Sequence, residues 1–377
     1  MWRWKAERGG EKGRTPPIAH CKHRFGILGK KTYLCRMELQ HQHIEQLRAM
    51  LAERPQRIVI VSHTNPDGDA VGSSLAWAAA LRTMGHTVHC IVPNRYPYFL
   101  NWMPGIKELT IFKDTPEEAL HLVEEAELIF CLDFNDLSRL EILTDTLTKN
   151  TSARRILIDH HLSPAEGYDL YFSHPDSSST CFLVYSLIEA LFGVEQITRE
   201  MAEALYVGMM TDTGNFAFSF LTPELFRAVA VLIERGIVIP EIHNRVYNSY
   251  TAGRARLFGF AINRKMELIH NGRVAYMSLT EQEMRRFGFQ QGDSEGFVNY
   301  PLTIKKVKMS VMFLEHTNFI RVSLRSRGQV DVNLFARKYF NGGGHKNAAG
   351  GKSFVSMEET IAHYIRAVEE FAAEGYL

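Results

Sequence analysis

Cysteine is scarce in this chain. The five present among 377 residues (Cys21, Cys35, Cys90, Cys131 and Cys181) are odd in number, scattered, and form no CxxC pair. That excludes a disulfide framework and a cysteine-zinc site, and points to a reducing cytoplasm. An excess of one charge is lacking too: 43 Lys and Arg stand against 42 Asp and Glu, a formal net charge of +1. No global field therefore draws in a polyanion, and any nucleic acid contact has to be local. No uninterrupted apolar run approaches the roughly 18 residues of a membrane helix, so no membrane partner is expected. The remainder, 45% hydrophobic and 23% charged, is the composition of an ordinary globular protein long enough for two cores.

Residues 1–36 lack sustained apolar periodicity and the apolar centre of a secretory signal. Rich in Lys, Arg and Gly, with Pro16-Pro17, they are expected to be a disordered, dispensable extension, with Met37 as the true start. The other reading is a basic arm that contacts nucleic acid. From Met37 to Ala52 the pattern is helical.

Thereafter short apolar runs alternate with helical patterns. Strands are expected at Ile58–Val61, Thr87–Val92, Glu127–Leu132 and Arg155–Ile158. Helices are expected at Leu75–Met84, Ser179–Leu191, Thr198–Met210 and Pro223–Arg235. This rhythm predicts an α/β fold whose mainly parallel sheet is flanked by helices. In such sheets ligands sit beyond the carboxyl ends of the strands. Strand one is followed by His63-Thr64-Asn65-Pro66-Asp67-Gly68-Asp69, strand three by Asp133, and strand four by Asp159-His160-His161. The helix ending near Met210 is followed by Thr211-Asp212-Thr213-Gly214. Alone, any of these is a helix cap, a turn or an exposed pair. Together they bring five aspartates to one sheet edge, where they repel unless a cation lies among them. A metal site is the expectation.

His63-x-x-Pro66-Asp67-x-Asp69-x-x-Gly72-Ser73, Asp133, Asp159-His160-His161 and Asp212 resemble, in order and spacing, the four motifs of the DHH phosphoesterase superfamily. Asn341-Gly342-Gly343-Gly344-His345-Lys346-Asn347-Ala348-Ala349-Gly350 resembles the GGGH signature of the DHHA1 substrate-binding domain. Ser323-Leu324-Arg325-Ser326 is similar to that domain's Arg-Ser element, and Glu295-Gly296-Phe297-Val298-Asn299 to the segment before it. The resemblance spans about Arg57 to Tyr376. A DHHA1 tail argues against the family II pyrophosphatases. Missing extra domains argue against the larger cyclic-di-AMP phosphodiesterases and the single-strand exonucleases. What is left is the compact nano-RNase branch, bifunctional oligoribonucleases and phosphatases of 3'-phosphoadenosine 5'-phosphate (pAp).

That resemblance implies a hydrolase with two Mn²⁺ ions, for which Mg²⁺ or Co²⁺ could substitute. His63, Asp67 and Asp133 would hold one ion, and Asp69, Asp133, His160 and Asp212 the other. Asp159 would orient an imidazole, and His161 would face the scissile phosphate. Arg325, Ser326, Gly342, Gly343, Gly344 and His345, with Arg321 on the same strand face as Arg325, would hold the rest of the substrate. The glycines would let backbone amides approach a phosphate, and His345 and Arg325 would add charge-assisted hydrogen bonds. The implied domains are a DHH catalytic domain at 37–235, a hinge at 236–256 with a short helix at Ile242–Tyr250, and a smaller α/β DHHA1 domain at 257–377. Short single-stranded RNA, pAp or pApA are the implied partners. Hydrolysis of cyclic-di-AMP or pApA, or non-catalytic nucleotide binding, are the alternatives. A homodimer is compatible with the sequence, which does not fix the oligomeric state.

Overall fold

A computed structural model of the protein describes residues 39–217 and 220–377, so the reading of residues 1–36 falls outside the described residues. Six short strands build the first sheet: β1 (Arg57–Ser62), β2 (Thr87–Val92), β3 (Leu109–Ile111), β4 (Leu128–Leu132), β5 (Arg154–Asp159) and β6 (Leu170–Ser173). All pair in parallel, in the order β3-β2-β1-β4-β5-β6. The apolar runs identified four of them; β3 and β6 are too short to show a period.

Seven helices accompany this sheet: α1 (His41–Ala52), α2 (Gly68–Thr83), α3 (Pro116–Glu124), α4 (Thr144–Lys149), α5 (Thr180–Phe192), α6 (Arg199–Asp212) and α7 (Pro223–Glu234). Trp77, Leu183 and Leu205 of α2, α5 and α6 enter the core on one face. Ala119, Val123 and Leu147 of α3 and α4 enter it on the other. The order of strands reverses between β1 and β4, which opens a crevice at their carboxyl ends.

Two helix bounds differ from the apolar pattern, and both matter for the site. α2 starts at Gly68 rather than Leu75, because Gly68 to Ser74 are small and all buried, leaving no amphipathic stripe to read. α6 continues through Asp212, which is therefore its last residue and not part of a loop. Glycines set the closeness of α2, α5 and α6. A Cβ on Gly72 would lie 2.4 Å from the Ala204 carbonyl oxygen, and one on Gly208 2.2 Å from Cys181 Sγ and 2.6 Å from Asp69 Oδ1.

α8 (Ile239–Tyr247) and α9 (Ala252–Phe260) lead to a second lobe. The helix expected at Ile242–Tyr250 is α8, which starts and ends three residues earlier, with Pro240 in its first turn. The second lobe contains β7 (Glu267–Ile269), β8 (Val274–Leu279), α10 (Glu281–Arg286), β9 (Met309–His316), β10 (Phe319–Ser326), α11 (Val332–Tyr339), β11 (Gly343–His345), β12 (Ala348–Ser353) and α12 (Met357–Ala373). Its sheet runs β11-β12-β10-β9-β8-β7, antiparallel except for β8 with β9. Phe335, Tyr364 and Phe371 of α11 and α12 pack on one face. β10 alternates strictly between buried and part-exposed residues, which puts Arg321, Ser323 and Arg325 on its open face.

The lobes touch at several places along the crevice. Lys352 pairs with Glu141 and the His345 ring stacks on His161, centroids 4.6 Å apart. Elsewhere the Tyr98 N–H donates to the Gln291 carbonyl at 3.3 Å.

Gly72→Ala tests the helix packing. In an open helix the change stabilises by roughly 0.5–1 kcal/mol, but here the obstacle is backbone, so we expect a loss of about 1–3 kcal/mol. Urea unfolding measures it; a gain in stability would refute the close approach.

Candidate metal centre and substrate cleft

The site is built where β1, β4 and β5 end and α2, α5 and α6 meet. Asp67 caps α2, its Oδ1 accepting from the backbone N–H of Asp69 (3.0 Å) and Ala70 (3.1 Å). Asp69, in the first turn, accepts from the N–H groups of Thr180 (2.6 Å) and Cys181 (2.8 Å) at the start of α5. A helix N-terminus favours the negative charge placed against it. Asp133 follows β4 with φ +65°, a left-handed conformation that turns its carboxylate into the crevice. There it accepts from Thr180 Oγ1 at 2.9 Å.

The imidazoles are held by their far nitrogens. His63 Nδ1 meets its neighbour's carbonyl, Thr64 O, at 2.9 Å, and His160 Nδ1 meets Ser177 O at 3.3 Å. Carbonyls only accept, so each Nδ1 carries the proton and each Nε2 is left with a lone pair for the site. His63 Nε2 is 3.4 Å from Asp133 Oδ2. His160 Nε2 is 3.4 Å from Asp212 Oδ2, 3.5 Å from Asp133 Oδ1 and 3.8 Å from Asp69 Oδ2. Donor atoms thus gather into two groups, His63 with Asp67 and Asp133, and Asp69 with His160 and Asp212, each within 4.8 Å. Asp133 contacts an imidazole of both groups.

Asp159, fully buried, takes a different place. It accepts from the His161 backbone N–H (3.1 Å) and binds His161 Nδ1 at 2.7 Å. It therefore aims the His161 ring.

Electrostatics set the condition for this arrangement. Burial, then Asp133 and Asp212, push the Asp69 carboxyl well above the usual range. Burial raises Asp212 to about 7, aided by Asp133 and Asp67 and opposed by His160. Burial also raises Asp133, but hydrogen bonds to His160 and His63 outweigh it and hold its carboxyl well below normal. The imidazoles resist charging because they are buried; nearby carboxylates nevertheless raise His63 and, more strongly, His160. Uncompensated buried carboxylates and imidazole lone pairs are the donor set of a hard or borderline divalent ion, and these residues fit one.

The second lobe supplies the opposite wall. Arg321 and Arg325 lie on one face of β10, within the field of Asp67, and Arg325 also within that of Asp212. Ser326 does not join them. Strand alternation turns it to the other face, where its hydroxyl donates to Val330 O at 2.6 Å and accepts from Asn347. Ser323 is the hydroxyl on the cleft face. The glycine run also differs from the expectation. Gly342 and Gly344 lie against β12, where a Cβ would sit 1.9 Å from Gly350 O and 2.5 Å from Ala348 O, and Gly344 has φ +147°. The Gly344 N–H is committed to Asn333 Oδ1 at 3.0 Å, while a Cβ on Gly343 would meet only ordinary contacts, the nearest 3.6 Å away at Asn333 Oδ1. His345 is neutral: burial, then His161 and His160, lower it to about 2, and its Nε2 has no partner among the described residues. It offers an uncharged contact, not a charge-assisted one.

Residues that motif spacing did not single out also contribute. Thr180 and Cys181 bind Asp69 and Asp133; the run Ser177-Ser178-Ser179-Thr180, a helix-cap composition, was the available signal. Arg139, whose charge reaches both His63 and His345, had none.

With this geometry in hand, comparison with known proteins gives the class. The DHH family N-terminal domain matches residues 57–209 and the DHHA1 domain residues 271–374. The chain belongs to the DHH family, in the branch that carries DHHA1. It is 31% identical over 323 residues to the bifunctional oligoribonuclease and PAP phosphatase NrnA of Thermus thermophilus, covering 85% of this chain and 92% of that protein. The cyclic-di-AMP phosphodiesterase PdeA of Listeria monocytogenes is 26% identical, but this chain spans only 51% of its length. The crystal structure of an exopolyphosphatase-related protein from Bacteroides fragilis is 42% identical with a TM-score of 0.81, covering 88% of this chain and 96% of that one.

The metal-free protein should reveal the strain through pH. Asp69, Asp212, His63 and His160 all have raised values in the fold, so each contributes stability at low pH that is lost as pH rises through its folded value. For Asp212 the window runs from the ordinary 3.8 to about 7. Stability of chelator-treated protein should therefore fall between about pH 5 and 8. Added divalent ion should reverse the fall in wild type and much less in Asp133→Ala, as read by thermal unfolding. A flat profile with no response to metal would remove the basis for this centre.

Proposed function

We propose that this chain is a two-metal phosphoesterase that removes mononucleotides from short oligoribonucleotides and dephosphorylates pAp, with Mn²⁺ as its ion. One observation carries the reading: two groups of oxygen and nitrogen donors, with Asp133 touching an imidazole of each, lie within reach of the charges of Arg321 and Arg325 on β10. His63, Asp67 and Asp133 would hold one ion, and Asp69, Asp133, His160 and Asp212 the other. Bound divalent ions supply an activated water and neutralise charge on the phosphoryl oxygens.

The chain's own residues do the positioning. Thr180 and Cys181 fix Asp69, and the Nδ1 contacts of His63 and His160 present Nε2 to the ions. Asp159 steadies the His161 ring through Nδ1, so that Nε2 is presented to the scissile phosphate or the leaving oxygen. Arg321 and Arg325 take a non-scissile phosphate. The segment 236–256 is the hinge by which the catalytic domain, 37–235, and the substrate-binding domain, 257–377, close. A cleft between two lobes limits substrate length and suits short substrates. The near-full mutual coverage with the Thermus oligoribonuclease and PAP phosphatase supports this choice over cyclic-di-AMP, whose phosphodiesterase relative is about twice as long.

Turnover of pAp, pApA, cyclic-di-AMP and a 24-mer RNA with Mn²⁺ tests the assignment. We expect pAp and short RNA to be hydrolysed fastest; rapid use of the 24-mer with none of pAp would overturn it. Asp67→Ala and Asp133→Ala should abolish turnover in folded protein. His161→Ala should lower kcat by roughly 10²–10⁴ while calorimetric Mn²⁺ binding persists, which separates its role from that of a ligand.

A further inference from the structure

The cleft contains a charge of the wrong sign for a phosphate site. Glu295 lies in the loop before Phe297, open to solvent, and its carboxylate has neither hydrogen-bond donor nor ion-pair partner among the described residues. Arg254 is close but otherwise engaged: its guanidinium donates to the Glu295 backbone carbonyl at 2.8 Å and stacks 3.4 Å from the Tyr250 ring centroid. Arg321 has no hydrogen bond or ion pair either, and the Arg325 guanidinium bonds only the Leu324 carbonyl, at 3.0 Å. The charges that act on Glu295 are Asp67 from the metal side, Arg321 and Arg325 from its own lobe, and Arg254 from α9. One unpaired carboxylate and two unpaired guanidinium groups thus share the space in front of the metal ligands.

A carboxylate only accepts hydrogen bonds, and ionised phosphate groups offer acceptors and negative charge. A chain of phosphates could satisfy Arg321 and Arg325 but would face Glu295 with repulsion. A nucleotide satisfies all three, with phosphate for the arginines and hydroxyl or amine donors for the carboxylate.

We propose that Glu295 is a specificity-determining residue, which accepts a hydrogen bond from the nucleoside part of the substrate and excludes inorganic polyphosphate. Desolvation and the charge of Asp67 push its carboxyl upward, against Arg321, Arg254 and Arg325; its exposure to solvent weakens the first push, and cations held by Asp67 and a donor from the ligand would favour the ionised form. The donor is a ribose hydroxyl or a base amine, two sources of one chemistry. This inference rests on the phosphoesterase reading above.

The test compares wild type, Glu295→Gln and Glu295→Ala, all loaded with Mn²⁺, on four substrates: pApA, its 2'-deoxy analogue, pIpI (which lacks the adenine amine) and tripolyphosphate. Wild type should prefer pApA to at least one analogue, the 2'-deoxy form if the donor is the ribose hydroxyl and pIpI if it is the amine. Glu295→Ala should lose roughly 10- to 100-fold in kcat/KM on pApA, mainly through KM, and lose that preference. Both variants should gain tripolyphosphate hydrolysis relative to pApA. Unchanged selectivity on all four substrates in both variants overturns the role of Glu295 and leaves the phosphoesterase reading standing. A wild type that hydrolyses tripolyphosphate and neither dinucleotide overturns both.

Discussion

The structure depends on keeping several carboxylates together where they repel. Asp69, Asp133 and Asp159 are almost fully buried, with His63 and His160 beside them. Nothing in the apolar core offsets that repulsion; backbone N–H groups and imidazoles do so in part. Asp69 leans on the start of α5, Asp67 on the start of α2, and Asp133 on Thr180 and two imidazoles. These contacts orient the carboxylates without cancelling their charge, as the raised values of Asp69 and Asp212 show. Divalent cations would complete the arrangement.

Holding such a cluster requires short, rigid connections. Each donor sits at the end of a strand or a helix, and the helix axes are pulled together at Gly72 and Gly208, where no side chain fits. A methyl group at Gly208 would strike both Cys181 and Asp69. Packing of the helices and aim of the ligands are therefore one constraint: relaxing the first moves the second.

Sequence periodicity exposed the strands that are buried on both faces, because a run such as Ile58-Val59-Ile60-Val61 has few other readings. The rule that ligands follow strand ends points to His63, Asp67, Asp69, Asp133, Asp159, His160 and His161, side chains that the fold does bring together. What stayed hidden has physical causes. α2 begins among small residues whose burial leaves no stripe, and β3 and β6 are shorter than any usable period. Ser326 was grouped with Arg325 through the resemblance to an Arg-Ser element, although neighbours on a strand point to opposite faces. Arg139 is an isolated charge with no local pattern around it, and Glu295, although it opens a segment that the resemblance picked out, takes its meaning from what folding brings opposite it.

The second lobe meets the first with few fixed polar contacts at the centre of the cleft. His345 stacks as a neutral ring on His161, and Arg321 and Glu295 find no protein partner among the described residues. Two of the three glycines of the GGGH run are required by β12 rather than by an approaching phosphate, so in the proposed function recognition would fall to side chains on β10 and in the Glu295 loop. Such side chains can carry both signs of charge, which a bare backbone cradle cannot. A wall of mixed sign in a chain of net charge +1 gains little from long-range attraction to polyanions and much from local complementarity. That division matches a site that handles small nucleotides: ions and arginines for what all phosphates share, and Glu295 for what only a nucleoside adds.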